Sequence, residues 1–161
     1  MSSTFDTSKA MKLAIEKARD TMNQNIGGPF GAAILDPEGH VLVVASNSVL
    51  HDHDATAHAE INAIRQAGKL LGTHDLTGYT LVTSCYPCPM CLGAIVWSNI
   101  KHVIYGCTPK DAENIGFRDD MIYDLMRQKE IESKDLILEE EHRRACLKLF
   151  KEYQEKEKQI Y

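Results

Sequence analysis

Two short motifs constrain how this chain can fold, because both carry side chains that bind metal ions. The first is His58-Ala59-Glu60, and the second is Pro87-Cys88-Pro89-Met90-Cys91. Each is predicted to lie where a loop or strand leads into a helix. The unpaired amides at the start of a helix lower the pKa of a cysteine and so supply the thiolates that zinc prefers. A fold that joins the two motifs would therefore build a zinc site.

Apolar periodicity predicts that strands and helices alternate along the chain. A first helix at 7–25 precedes two apolar runs, which the turn residues Asp36-Pro37-Glu38-Gly39 join into a hairpin. We expect one α/β domain over 1–161, a three-layer α-β-α sandwich on a mixed, mostly parallel sheet of five strands. The predicted strands are 30–36, 40–47, 79–84, 102–107 and 134–140, and the later helices are 57–72, 88–99, 111–117, 119–129 and 141–159.

Length, charge and cysteine usage exclude several classes of protein. The chain has 161 residues, of which 43% are hydrophobic, enough for one globular core. It begins without the features of a secretory signal, and no apolar run reaches the roughly 18 residues of a membrane span, so we expect a cytoplasmic protein with no membrane partner. The net charge of −5 disfavours a nucleic-acid partner. Three of the five cysteines lie within 85–91, which in an intracellular protein indicates metal binding.

The spacing within the motifs favours a catalytic zinc over a structural one. Cys88 and Cys91 share a helical face, and with His58 they supply three ligands, which leaves a fourth position for water. Glu60 would lie beside that water and could carry protons. A closed structural site is the rival interpretation, because Cys85 would complete a set of three cysteines and one histidine. Such a site has no use for Glu60.

The spacing also matches the His-x-Glu and Pro-Cys-x-x-Cys signature of zinc nucleobase deaminases. The chain resembles the cytidine deaminase superfamily, most closely its bacterial guanine deaminase branch. The segments that carry the resemblance are GGPFGA, Asn47, TAHAE, PCPMCLGAIVW and DAENIGF with the acidic residues and IY that follow. It implies Zn²⁺ as the cofactor, a free nucleobase as the substrate, and hydrolysis of guanine to xanthine and ammonia. His58 is then the ligand, while His51 and His53 are loop residues.

The resemblance also implies roles for individual side chains. Glu60 and Asp119 are expected to carry protons, and the residues expected to bind substrate are Phe30, Asn47, Ala59, Trp97 and Tyr161. Simpler interpretations remain open for several of them. Phe30 and Trp97 could pack in the core, Asn47 could close the hairpin, and Asp119 could cap the following helix.

The assembly and the substrate are less constrained by the sequence. The resemblance implies a homodimer in which the C-terminal segment, ending at Tyr161, can be exchanged between subunits, although the helix before it is equally suited to its own sheet. Tyr86 and Arg118 stand where the family pattern has acidic residues. The sequence therefore does not decide which ring system is the substrate. The alternatives are a tRNA adenosine deaminase, a deaminase of cytosine or guanosine, and a zinc-stabilised module without activity.

Overall fold

The computed structural model describes residues 6–128, 131–132 and 134–161. The chain divides into two compact units, Met1–Asp119 and Asp120–Tyr161. The first unit contains α1 (Ser8–Asn23), β1 (Gly31–Leu35), β2 (Val41–Ser46), α2 (Val49–Asp52), α3 (Ala59–Leu71), β3 (Thr80–Cys85), α4 (Pro89–Trp97), β4 (His102–Cys107) and α5 (Pro109–Asn114). The second contains α6 (Asp120–Arg127) and α7 (Arg143–Glu155). That 1–161 act as a single deaminase domain stays a prediction.

The sheet is mixed, as the sequence predicts, and its strand order is β2-β1-β3-β4. β1 is antiparallel to both of its neighbours, β2 and β3, whereas β3 and β4 are parallel. The expectation of a mostly parallel sheet is therefore wrong. The reason is the connection through α3, which carries the chain past β1, so that β3 runs parallel to β2 but pairs with the other edge of β1.

Helices cover both faces of this sheet, which confirms the three-layer sandwich. Alternate residues of β1 point to opposite sides. Ala32 and Ile34 pack in a cluster with buried residues of α3 and α4, whereas Ala33 and Leu35 pack in a second cluster with α1. The metal-binding motifs at the starts of α3 and α4 therefore lie on one and the same face.

The prediction of a fifth strand at 134–140 is wrong for the residues that the structure describes. Residues 134–140 join no sheet, and their three consecutive apolar side chains, Leu136, Ile137 and Leu138, are all exposed. A strand is stabilised by pairing and by burying one face, rather than by propensity alone. The segment has the composition of a strand and neither of these contacts, so the sheet has four strands.

Gly31→Ala is expected to destabilise the protein by about 1–3 kcal/mol through overpacking. α1 packs so closely on β1 that a Cβ atom on Gly31 would lie 1.9 Å from the backbone oxygen of Ala14. Urea denaturation measures the change. Gly93→Ala is the matched control, because nothing lies within 4 Å of that position in α4. Equal denaturation midpoints for the two variants would contradict this packing.

Candidate active site

The first residues of α3 and α4 bring the two motifs together. His58 and Cys88 occupy the N-cap positions of these helices, both with extended backbones and without a side-chain capping bond. A side chain that does not cap its helix is available for other contacts. The Sγ atoms of Cys88 and Cys91 lie 3.5 and 3.6 Å from Nδ1 of His58. The predicted helix starts thus converge on one cluster.

The donor atoms of this cluster suit zinc in both type and spacing. The imidazole nitrogen and two sulfurs all lie within 4.8 Å of one another. Tetrahedral zinc with sulfur at about 2.3 Å and nitrogen at about 2.0 Å separates a sulfur ligand from a nitrogen ligand by about 3.5 Å. The two distances between Nδ1 of His58 and the sulfurs match that separation. His58, Cys88 and Cys91 therefore form a potential zinc site.

Hydrogen bonds link the three side chains. The pKa of Cys88 is lowered to about 4, because the Cys91 thiol donates a hydrogen bond to its sulfur and His58 lies beside it. The hydrogen bond with Cys88 in turn raises the pKa of His58, and the pKa of Cys91 is raised because its proton is shared with Cys88. A metal ion that takes these ligands must displace protons from them.

Cys85 lies outside this cluster. Its thiol donates to the carbonyl oxygen of Thr108, with 3.8 Å between sulfur and oxygen. Burial raises its pKa to about 11, and the nearby carboxylates of Glu60 and Asp119 contribute. Within the described part of the chain, no further histidine, cysteine or carboxylate joins the three ligand atoms. The geometry thus favours a site with an open position over a closed structural one.

Glu60 is a buried carboxylate beside the candidate ligands. It is the second residue of α3, and only 6% of its surface is exposed. Its removal from water raises its pKa, and the Cys91 thiol lies beside its carboxyl group. A buried carboxylate with a raised pKa is suited to accepting and returning a proton near neutral pH.

The other two histidines of the motif segment point elsewhere. Nδ1 of His51 lies 2.9 Å from a carboxylate oxygen of Asp52, and both side chains are largely exposed. His53 ends α2 in a left-handed conformation, at φ 50°, and is also exposed. Neither belongs to the cluster around His58.

Asn62 fastens the loop that leads to the site, and the sequence interpretation missed it. Its Nδ2 donates to the carbonyl oxygen of Ser46 at 2.8 Å and to Oγ of Ser48 at 2.9 Å. The sequence did contain a signal for this role, because asparagine is unfavourable inside a helix unless its side-chain amide makes a hydrogen bond. Asn62 ties the end of β2 to α3 and so orients the turn that carries His58.

Asn47 organises the same loop from the opposite side. Its Oδ1 accepts hydrogen bonds from the backbone amides of Gly28, at 3.2 Å, and Val49, at 3.0 Å. The side chain is buried. Both bonds agree with the simpler interpretation of the sequence, in which Asn47 closes the hairpin. Since Oδ1 is taken by the backbone, only the Nδ2 group could serve a ligand.

We expect Asn47→Ala to destabilise the protein by about 1–3 kcal/mol, because two amides lose their acceptor. Urea denaturation measures this loss. Asn23→Ala, at the exposed end of α1, is the matched control and should differ little from the unmodified protein. An Asn47→Ala variant as stable as the control would show that these bonds contribute nothing.

Phe30 and Tyr86 each form an edge-to-face aromatic pair. The rings of Phe30 and Phe117 meet edge to face with centroids 5.0 Å apart, and a Cβ atom at Gly28 would lie 3.0 Å from the Phe30 ring. Tyr86 and Tyr105 form a second edge-to-face pair, also at 5.0 Å. Phe117 was missed from the sequence, because its contact with Phe30 depends on tertiary structure.

The remaining predicted residues have varied positions, and their roles stay predictions. Trp97 ends α4, about 12 Å along the helix axis from its metal-binding end, and is 67% exposed. Ala59 is fully buried, so only its backbone could contact a ligand. Asp119 lies close enough to Cys85 for its charge to raise the pKa of that thiol. Tyr161, in the second unit, is 75% exposed.

Known proteins are similar to this chain in both sequence and fold. A guanine deaminase from Bacillus subtilis is 47% identical over 113 residues, which are 70% of this chain and 72% of that protein. The X-ray structure of guanine deaminase from that organism matches with a TM-score of 0.86 and 37% identity, covering 93% of this chain and 94% of the other. A tRNA-specific adenosine deaminase from Haemophilus influenzae is 31% identical over 157 residues, covering 97% of this chain and 89% of its own.

The match to a family model covers the whole cluster. Residues 5–107 match the cytidine and deoxycytidylate deaminase zinc-binding region. This segment includes His58, Glu60, Cys88 and Cys91, whose geometry is described above. With its zinc-compatible ligands, its fold and its similarity to several deaminases, the chain belongs to the family defined by the cytidine and deoxycytidylate deaminase zinc-binding region.

Proposed function

We propose that this protein is a zinc-dependent aminohydrolase that converts guanine to xanthine and ammonia. The observation that carries the proposal is the buried carboxylate of Glu60 beside His58, Cys88 and Cys91. A structural zinc site gains nothing from a buried carboxylate at that position. The similarity to guanine deaminase from Bacillus subtilis supports guanine as the substrate.

In the proposed mechanism His58, Cys88 and Cys91 hold the metal and Glu60 moves protons. When bound, zinc acts as a Lewis acid and lowers the pKa of a coordinated water to about 7. Glu60 accepts the proton that the attacking water loses and transfers it to the ring nitrogen next to the reacting carbon. It then helps to protonate the departing amine. C2 of guanine gains the water oxygen, its bond to the amino nitrogen breaks, and ammonia leaves.

The substrate pocket is proposed on the residues that the family resemblance indicates. Phe30 would contact the purine ring, and its edge-to-face contact with Phe117 would hold its ring in position. Asn47 would donate from Nδ2, because its Oδ1 is already bonded. Asp119 would face the departing amino group as a second proton carrier. The remaining proposed contacts are the backbone of Ala59 and the side chains of Trp97 and Tyr161.

We also propose a cytoplasmic homodimer, in which the C-terminal segment can be exchanged between subunits. Exposed apolar side chains on α7 support a protein partner for this helix, and they are Leu147, Leu149, Phe150 and Tyr153. None of the described helices is long and apolar enough to cross a membrane. Light scattering of the purified protein tests the assembly, and a monomeric mass would contradict it.

A tRNA adenosine deaminase is the second candidate function. The similarity to the Haemophilus influenzae enzyme over 97% of this chain favours it. The net charge of −5 opposes it, because binding an anticodon loop requires a basic surface. Tyr86 and Arg118 depart from the guanine deaminase pattern, which is also compatible with a substrate that has a different ring.

Ammonia release from a panel of substrates distinguishes these functions. The zinc-loaded protein is incubated with guanine, guanosine, cytosine, adenine, adenosine and an anticodon stem-loop RNA. We expect ammonia release from guanine alone, or from guanine at a rate far above that of the other compounds. Turnover of the RNA but not of free bases would replace the substrate proposal by the second candidate, and no release from any compound would contradict the enzyme proposal.

A further inference from the structure

The two parallel strands β3 and β4 both end on a cysteine, and these cysteines are neighbours. Cys85 and Cys107 are direct Cα partners in the register of the two strands. Neither belongs to the cluster of zinc ligands. Both sulfurs are free thiols in the structure. The proposed deaminase mechanism does not use this pair.

The geometry of the strands brings the two side chains within reach of each other. In-register partners on parallel strands are about 4.8 Å apart and point to the same face. A disulfide needs Cα atoms about 4.4–6.8 Å apart, so the backbone already has a suitable separation. The strands are also close just before the pair, because a Cβ atom at Gly106 would lie 2.9 Å from the backbone oxygen of Ser84.

The position of the Cys85 sulfur agrees with this geometry. Its thiol contacts the carbonyl oxygen of Thr108, which directly follows Cys107, so the side chain reaches across to β4. The amide of Tyr86 donates to the carbonyl oxygen of Cys107 at 2.8 Å, which extends the pairing past both cysteines. The two sulfurs are therefore held on the same side of a well-anchored strand end.

The two thiols differ in their access to solvent. Cys107 is exposed, whereas Cys85 is only partly so. A solvent-accessible cysteine with a second cysteine beside it can be oxidised first and then form a disulfide with that neighbour. The two thiols would therefore react in a fixed order. Cys107 reacts with the oxidant first, and Cys85 then forms the disulfide bond.

We propose that Cys85 and Cys107 form a reversible thiol–disulfide site at the carboxyl ends of β3 and β4, with a peroxide as the oxidant. The Cys107 sulfur attacks the O–O bond of hydrogen peroxide, gains one oxygen as a sulfenic acid, and water leaves. The Cys85 sulfur then attacks the Cys107 sulfur, the S–S bond forms, the S–O bond breaks, and a second water leaves with the thiol proton. Two thiols are oxidised and one peroxide is reduced to two waters.

The test uses the full-length, zinc-loaded protein and hydrogen peroxide. We expect the intact mass to fall by two hydrogens, peptide mapping to find Cys85 linked to Cys107, zinc to remain bound, and a dithiol reductant to restore the original mass. Cys107→Ser should lose this change. Cys146→Ser is the matched control, because Cys146 is exposed and lies in the second unit, and it should behave as the unmodified protein.

Three results would overturn the proposal. One is addition of oxygen to Cys107 without a link to Cys85. Another is a link confined to Cys88 and Cys91 with release of zinc. A third is the same loss of two hydrogens in the Cys107→Ser variant. Because all three are read from mass and zinc content, they do not depend on the substrate or on activity.

Discussion

Glu60→Gln is expected to lower ammonia release by a factor of about 10²–10⁴ while zinc content stays unchanged. Glutamine has nearly the same shape as glutamate, so the packing at the start of α3 should survive. It cannot accept and return a proton, however, and this is the role proposed for the carboxylate. Initial rates with guanine and zinc analysis of the same samples measure the two quantities together.

Glu16→Gln is the matched control for this variant. Glu16 lies on α1 and is exposed, so the same chemical change there should leave the rate unaltered. A Glu60→Gln protein that keeps its zinc and works at the unmodified rate would exclude Glu60 as the proton carrier. A variant that loses zinc instead would indicate that the carboxylate supports the metal rather than the reaction.

Cys91→Ser is expected to weaken zinc binding by at least about 100-fold and to abolish turnover. The serine hydroxyl stays protonated at neutral pH, whereas zinc takes the thiolate of cysteine. Cys91 is completely buried, so the loss of a ligand cannot be replaced by a nearby surface group. Competition with a chromophoric chelator measures the affinity.

Thermal unfolding supplies a second measurement on the same protein. A metal that binds only the folded state raises Tm in a concentration-dependent way. Added zinc should therefore raise the Tm of the unmodified protein and of Cys146→Ser, but not that of Cys91→Ser. A Cys91→Ser protein that binds zinc as tightly as the control would contradict the ligand set.

Local signals account for the parts of the fold that the sequence predicted. The hairpin follows from two apolar runs around a Pro and Gly turn, and the covering of both faces follows from helices placed between strands. The segment 134–140 shows the limit of such signals, because its apolar run resembles a strand but lacks a partner. The antiparallel pairing of β1 with β3 depends on where the chain crosses, and no local pattern encodes this.

The candidate zinc ligands were predictable because their chemistry and their positions are both local. His58 and Cys88 each begin a helix, and Cys91 follows one turn later. Phe117 could not be found in this way, since its contact with Phe30 joins two segments far apart in sequence. Asn62 was partly predictable. The sequence shows that an asparagine stands inside a helix, but it does not show which atoms its side chain bonds to.

X-ray absorption at the zinc edge tests most directly whether the metal keeps a coordination position open. We expect two sulfur ligands at about 2.3 Å and two lighter ligands at about 2.0–2.1 Å, one from His58 and one from solvent. Three sulfur ligands would mean that Cys85 closes the site. That result would contradict a catalytic zinc.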